Sequence, residues 1–129
     1  MAVLKSDPAE KTTESRRTQM YKGVLELALM SLLAEGAQYG LRILDSLRDQ
    51  AGLDLAEGTL YPLLHRLEKA GLIKAEWRHE ADASHPRKYY GLTPAGTADL
   101  AEQRQVWLDL TTRLNSFLTR TAYISGHKK

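Results

Sequence analysis

The sequence predicts a mainly α-helical chain that carries one small β-hairpin and ends on a long helix. Three observations support this. Apolar residues recur at helical spacing in three successive segments, one later segment switches to a period of two, and a Thr-Pro-Ala start opens a run with a seven-residue apolar repeat.

In the first segment Val24, Leu25, Leu27, Ala28, Leu29, Leu32 and Leu33 cover more than half of a helical wheel, so this helix packs deeply, and Gly36 ends it. The second helix is expected from about Tyr39 to Gln50. Ile43, Leu44 and Leu47 form its apolar face, Arg42, Asp45, Arg48 and Asp49 its polar one, and Gly52 its stop. The third is expected from Ala56 to Ala70, with Leu60, Leu63, Leu64 and Leu67 on a single buried stripe and Gly71 at its C-terminus. Its opposite face carries Glu57, Thr59, Tyr61, Pro62, His65, Arg66 and Lys69, a mixed donor surface short of the apolar residues that a second core contact needs. Residues Leu72 to Arg78 alternate as a strand does, and a second strand follows at Arg87 to Leu92. The polar connection from His79 to Pro86 is too long for a tight turn and suits a projecting loop.

Thr93, Pro94 and Ala95 supply an N-cap, a proline at the first helical position and a helix former. The helix they open is expected to reach about Thr121, with Leu100, Trp107, Leu110, Leu114 and Phe117 on a and d positions of a heptad. Such a stripe needs a partner surface, so these five residues are the expected dimerisation contacts. The division that results is a flexible arm at 1–18, a helical and hairpin unit at 19–93, a dimerisation helix at 94–122 and a flexible tail at 123–129.

Composition excludes several functions. The chain has 129 residues and no cysteine, so its core is expected to hold without disulfides or thiolate metal sites, as suits the cytoplasm. The N-terminal residues have no uninterrupted apolar stretch of the secretory kind, and the run from Val24 to Ala34 is broken by Glu26 and Ser31, so no membrane segment is expected. A net charge of +2 says little about a polyanionic partner. Its distribution says more: cations gather at Arg16, Arg17 and Lys22, at His65, Arg66 and Lys69, and at Arg87 and Lys88. No GxGxxG, GxxxxGK[ST], HExxH or GxSxG motif occurs, and no inward carboxylate pair is evident, so no enzyme, cofactor or catalytic residue is expected.

Three blocks, GVLELALMSLLAEGAQYGLRIL, EGTLYPLLHRLEKAGLI and SHPRKYYGLTPAG, resemble the signature of the PadR family of transcriptional regulators over residues 20 to 100. The most specific piece is Gly58-Thr59-Leu60-Tyr61-Pro62-Leu63-Leu64. Arg66-Leu67-Glu68, Gly71-Leu72-Ile73, Arg87-Lys88-Tyr89-Tyr90 and Leu92-Thr93 follow it in the family's order. The resemblance implies a winged helix-turn-helix whose third helix enters the DNA major groove, a hairpin wing that reaches the backbone or minor groove, and a C-terminal helix that joins two subunits. The chain departs from the family pattern at Ala56, which offers no capping side chain, and at Ala83-Ser84-His85-Pro86, which lacks the wing glycine.

The DNA-binding residues read from these features are Thr59, Tyr61, Pro62, His65 and Arg66 on the helix and Arg87, Lys88 and Tyr90 on the wing. Arg66 can make a bidentate contact to guanine; its bland alternative is an ion pair with Glu57 or Glu68. Tyr61 has packing against the first helix as its alternative, and Thr59 a local cap. Pro62 leaves the carbonyl of Gly58 without its usual helical donor. Trp107 is a candidate stacking platform for a planar aromatic effector, with plain dimer packing as its alternative. A metal site at His79, Asp82 and His85 lacks a fourth ligand and is not expected. The partners that follow are a palindromic DNA operator and a second copy of the chain; the competing function class is a winged-helix module that binds protein instead of DNA.

Overall fold

The computed structural model describes residues 8–82 and 84–127, and the side chains within 20–120 except at positions 22 and 83. Among the described residues the elements run α1 (Pro8–Leu33), β1 (Gln38–Tyr39), α2 (Gly40–Ala51), α3 (Glu57–Lys69), β2 (Ile73–Arg78), β3 (Arg87–Leu92) and α4 (Pro94–His127). The core lies where α1, α2 and α3 meet the sheet. Leu25, Leu29, Met30, Leu32 and Leu33 of α1 pack there with Ile43 and Leu47 of α2 and the predicted α3 stripe of Leu60, Leu63, Leu64 and Leu67. Each such side chain withdrawn from water contributes about 1.5–3 kcal/mol before conformational entropy is counted.

The stops behave as their residue types dictate. Gly52 sits at φ 69° and returns its N–H to the carbonyl of Arg48, and Gly71 sits at φ 80°, a backbone that side-chain-bearing residues rarely adopt. No side chain caps α3 at Ala56, as the residue's chemistry requires. The N–H groups of Thr59 and Leu60 bond the Ala56 carbonyl instead.

The sheet is antiparallel with strand order β1-β3-β2. Its register places Ile73 opposite Leu92, Ala75 opposite Tyr90 and Trp77 opposite Lys88, all on the face that looks toward the helices. β1 adds a third strand to the expected hairpin, pairing Gln38 with Tyr90 and Tyr39 with Tyr89. Two residues are too few to display a period, which is why only β2 and β3 were legible.

Both ends of the predicted division need correction. α1 already runs at Pro8, so positions 8–18 continue a helix where a flexible arm was expected; positions 1–7 lie outside the described residues. Proline is preorganised for a first helical position, and extending a helix that is packed further on needs no new nucleus. The same holds at the other end, where α4 reaches His127 through most of the expected tail. No helix among the described residues is long and apolar enough to cross a membrane.

α4 starts as its Thr-Pro-Ala sequence requires. Thr93 Oγ1 accepts the Gly96 N–H at 3.0 Å and donates to the Gly71 carbonyl at 2.6 Å, while the Thr93 N–H bonds the Leu72 carbonyl at 3.0 Å. The threonine thus ties the start of α4 to the α3–β2 junction. Leu100, expected on the dimer stripe, is only 3% exposed and completes the subunit's own core. Less than two turns into α4 the helix still lies over the sheet and α1, so the a/d pattern there serves the monomer.

Candidate nucleic-acid interface

α3 presents one broad exposed arc. Steps of about 100° per residue order it from the wing side as Tyr61, His65, Lys69, Pro62, Arg66 and Thr59, and all six are exposed. The arc is flanked by two hollows. On the α1 side, Thr59, Pro62 and Arg66 share a depression of about 470 Å³ with Leu25 and Glu26. On the wing side, Tyr61 shares a cleft of about 360 Å³ with Trp77, His85, Arg87, Lys88 and Gly40.

Tyr61 is 39% exposed, and its ring fills the space that a side chain at Gly40 would occupy. The packing partner is therefore the start of α2, where the sequence had suggested the first helix as the alternative. Burial, followed by Glu57 and Tyr90, raises its phenol above the ordinary tyrosine value. The hydroxyl remains a neutral donor at physiological pH.

Arg66 pairs with Glu26 on α1, with Nη2 3.1 Å from Oε1; the sequence alternatives Glu57 and Glu68 are not the partners in this ion pair. The Arg66 side chain is 68% exposed, so this bond leaves most of the guanidinium in water. Such an exposed pair is worth about 0–1 kcal/mol and yields readily to a better acceptor.

The wing divides its residues between two faces. Arg87, Tyr89 and Arg78 lie on the outer face with Tyr39. The Arg87 guanidinium stands 4.5 Å from the Tyr39 ring centroid and that of Arg78 4.7 Å from Tyr89, whose hydroxyl donates to Glu80 at 3.1 Å. Tyr39 and Tyr89 meet edge to face at 5.4 Å. Lys88 and Tyr90 lie on the inner face, where the Lys88 ammonium is 5.7 Å from the Tyr90 ring. Tyr90 is only 6% exposed, which removes it from the predicted DNA contacts. Its register opposite Ala75 directs it into the core, and burial raises its phenol. Arg87 is exposed and Lys88 half-buried, on opposite faces of one strand.

Lys69, which the sequence places on the polar face of the third helix without naming it a DNA contact, lies in the middle of the α3 arc. One residue of this surface, Trp77, was not singled out by the sequence. Trp77 is on the core-facing side of β2, yet it is 68% exposed, because the core ends at Ala75 and the strand continues past it. At the wing tip, Ser84 Oγ lies 2.9 Å from His85 Nδ1, and among the described residues no group of three or more His, Asp and Glu side chains is placed to hold a metal ion.

On another face of the subunit, α1 and α4 enclose an open groove of about 570 Å³. Met20, Val24, Leu27, Val106, Trp107 and Leu110 give it an apolar lining. Trp107 is 38% exposed, and Leu110 and Leu114 follow it outward along α4. Phe117 continues the row, with the Arg120 guanidinium 5.6 Å from its ring.

Comparison with known proteins points to one family of transcriptional regulators. A family model described as the transcriptional regulator PadR-like family matches residues 29–102. A transcriptional regulator of Mycobacterium tuberculosis is 31% identical over 104 residues, covering 81% of this chain and 94% of its own length. Among solved structures, a PadR-like transcription factor of Bacteroides fragilis is 39% identical with a TM-score of 0.65, covering 80% of this chain and 98% of that one. A PadR family regulator of Eggerthella lenta is 34% identical with a TM-score of 0.74, covering 85% of this chain and 95% of that one.

Proposed function

The chain belongs to the PadR-like family of transcriptional regulators, and on that premise we propose that it is a homodimeric repressor, released from a palindromic operator by a planar aromatic effector. The observation that supports this most directly is the placement of two unlike surfaces on one subunit. The exposed donor arc of α3 stands beside the Arg87 and Lys88 strand, while the apolar groove of α1 and α4 lies elsewhere. α3 suits the major groove, and the wing cations suit phosphates. Two copies joined through the α4 face present their α3 helices to successive turns of a duplex, roughly 34 Å apart. A dimer seated over a promoter in the cytoplasm occludes it without any further recruiting surface, which favours repression over activation.

Selection of duplexes from a random library by the purified protein tests the reading. The expected product is a palindrome. Arg66→Gln is expected to relax selection at one base pair in each half-site, at a cost of about 1–3 kcal/mol. Lys88→Ala is expected to weaken all sequences alike and to reduce the salt slope by about one. If neither change alters binding, the DNA face is misassigned. A protein that selects no duplex is left with the protein-binding alternative.

The effector reading rests on Trp107, whose indole is half-buried in an apolar groove open to solvent. Stacking there adds about 0.5–1.5 kcal/mol beyond simple burial. Planar aromatic compounds are expected to quench Trp107 emission in the free protein and to do so less readily when operator is bound, since coupling between two sites is reciprocal. Trp77 is a second emitter, so the measurement needs Trp107→Ala beside it. Quenching that survives this substitution would assign Trp107 to dimer packing alone.

A further inference from the structure

Glu26 stands between two helices that the proposed function treats separately. Its Oε1 receives Arg66 from α3 at 3.1 Å, and its Oε2 receives Nε2 of Gln103 from α4 at 3.3 Å. The same amide reaches Asp99 Oδ2 at 2.5 Å and Met30 Sδ at 3.5 Å. Gln103 also lines the groove in which Trp107 lies, so a chain of hydrogen bonds runs from that groove to the recognition surface.

The chemistry of this chain is a competition. An amide nitrogen has two N–H groups, and three acceptors surround this one. A carboxylate with both oxygens free takes arginine in a two-point fork, which is stronger and more directional than a single bond. Gln103 occupies one of those oxygens and leaves Arg66 on the other.

We propose that Glu26 and Gln103 are positioning residues that set whether Arg66 can reach DNA. With Gln103 on Oε2, Arg66 is held by one exposed bond and swings to a base edge. With Gln103 drawn toward the groove by whatever fills it, the freed carboxylate grips Arg66 by two points and withholds it. The inference rests on the DNA-binding reading of α3, and it makes the groove and the recognition helix two ends of one switchable contact.

A double-mutant cycle on the selected duplex tests it. Gln103→Leu is expected to lower operator affinity about three- to ten-fold, the span of one surface ion pair strengthened to a fork. It should relax selection at the same base pair that Arg66→Gln relaxes. The loss should vanish when Gln103→Leu is placed in a Glu26→Gln or an Arg66→Gln background. Gln103→Met, which keeps the side chain's length and removes its donors, should behave as Gln103→Leu does and guards against a folding defect. An unchanged affinity overturns the proposal. So does a loss of equal size in all backgrounds, or one shared equally by all sequences, since Gln103 would then act on groove packing alone. A wild-type protein that selects no duplex overturns the DNA-binding reading, and with it the role of Arg66; a wild type that selects one while Gln103 variants match it overturns the relay alone.

Discussion

Gly96→Val is expected to destabilise the protein by about 3 kcal/mol or more, the largest loss from any single substitution considered. A Cβ at this buried position would be driven into the carbonyl oxygen of Leu72, which is backbone and cannot turn aside. That oxygen is also the acceptor for the Thr93 N–H, so moving it breaks the junction that starts α4. Overpacking costs about 1–3 kcal/mol, and each hydrogen bond lost in relieving it adds about 1 kcal/mol. For a chain of this size the midpoint of thermal unfolding should fall by about 10–15 °C, followed by circular dichroism. Gly58→Ala is the matched control. Nothing lies within 4 Å of a Cβ there, and alanine in a helix gains up to about 1 kcal/mol over glycine. A Gly96→Val melting point within about 2 °C of wild type would mean that the α4 junction is looser than its hydrogen bonds imply.

Charging the outward face of α4 is expected to have the largest effect on DNA binding. Leu110 and Leu114 are 55% and 45% exposed and take no part in the buried cluster, so Leu110→Glu with Leu114→Glu should leave the subunit folded. Two carboxylates in each copy of the seam would oppose one another across the interface, and burying them unpaired is costly. The expected species is a monomer of 14.5 kDa by light scattering, where wild type should give twice that mass. Operator affinity should fall about a hundred-fold or more, because the second half-site is no longer delivered at high local concentration. A charged variant that still binds the palindrome within about three-fold of wild type would sink the dimeric reading.

The parts of the fold that were legible are those in which one physical requirement dominates. The α3 stripe of Leu60, Leu63, Leu64 and Leu67 has only one way to be buried, and Thr93 with Pro94 starts a helix by chemistry local to three residues. What escaped depends on contacts distant in sequence. Tyr89 and Tyr90 are adjacent and alike, and alternation sends them to opposite faces without saying which; the pairing of Tyr90 with Ala75 decides it. Leu100 fits a heptad as well as Leu114 does, but α4 leaves the core between them. The partner of Arg66 lies 40 positions away in the chain, beyond any helical-spacing argument. The arc of α3 was readable, whereas the restraint on Arg66 was not.

The tie that Thr93 makes between α4 and the end of α3 has a geometric consequence. Because the helix is anchored there, it works as a lever whose short arm runs from Trp107 back to Pro94, about 20 Å at 1.5 Å of rise per residue. If two such levers cross near Trp107, turning one by about 10° sweeps its anchored end through roughly 3.4 Å, the rise of one base pair. In such a dimer a tilt of that size at the crossing point would be a full step of mismatch on the duplex, and the angle between the levers would be the variable on which half-site spacing depends.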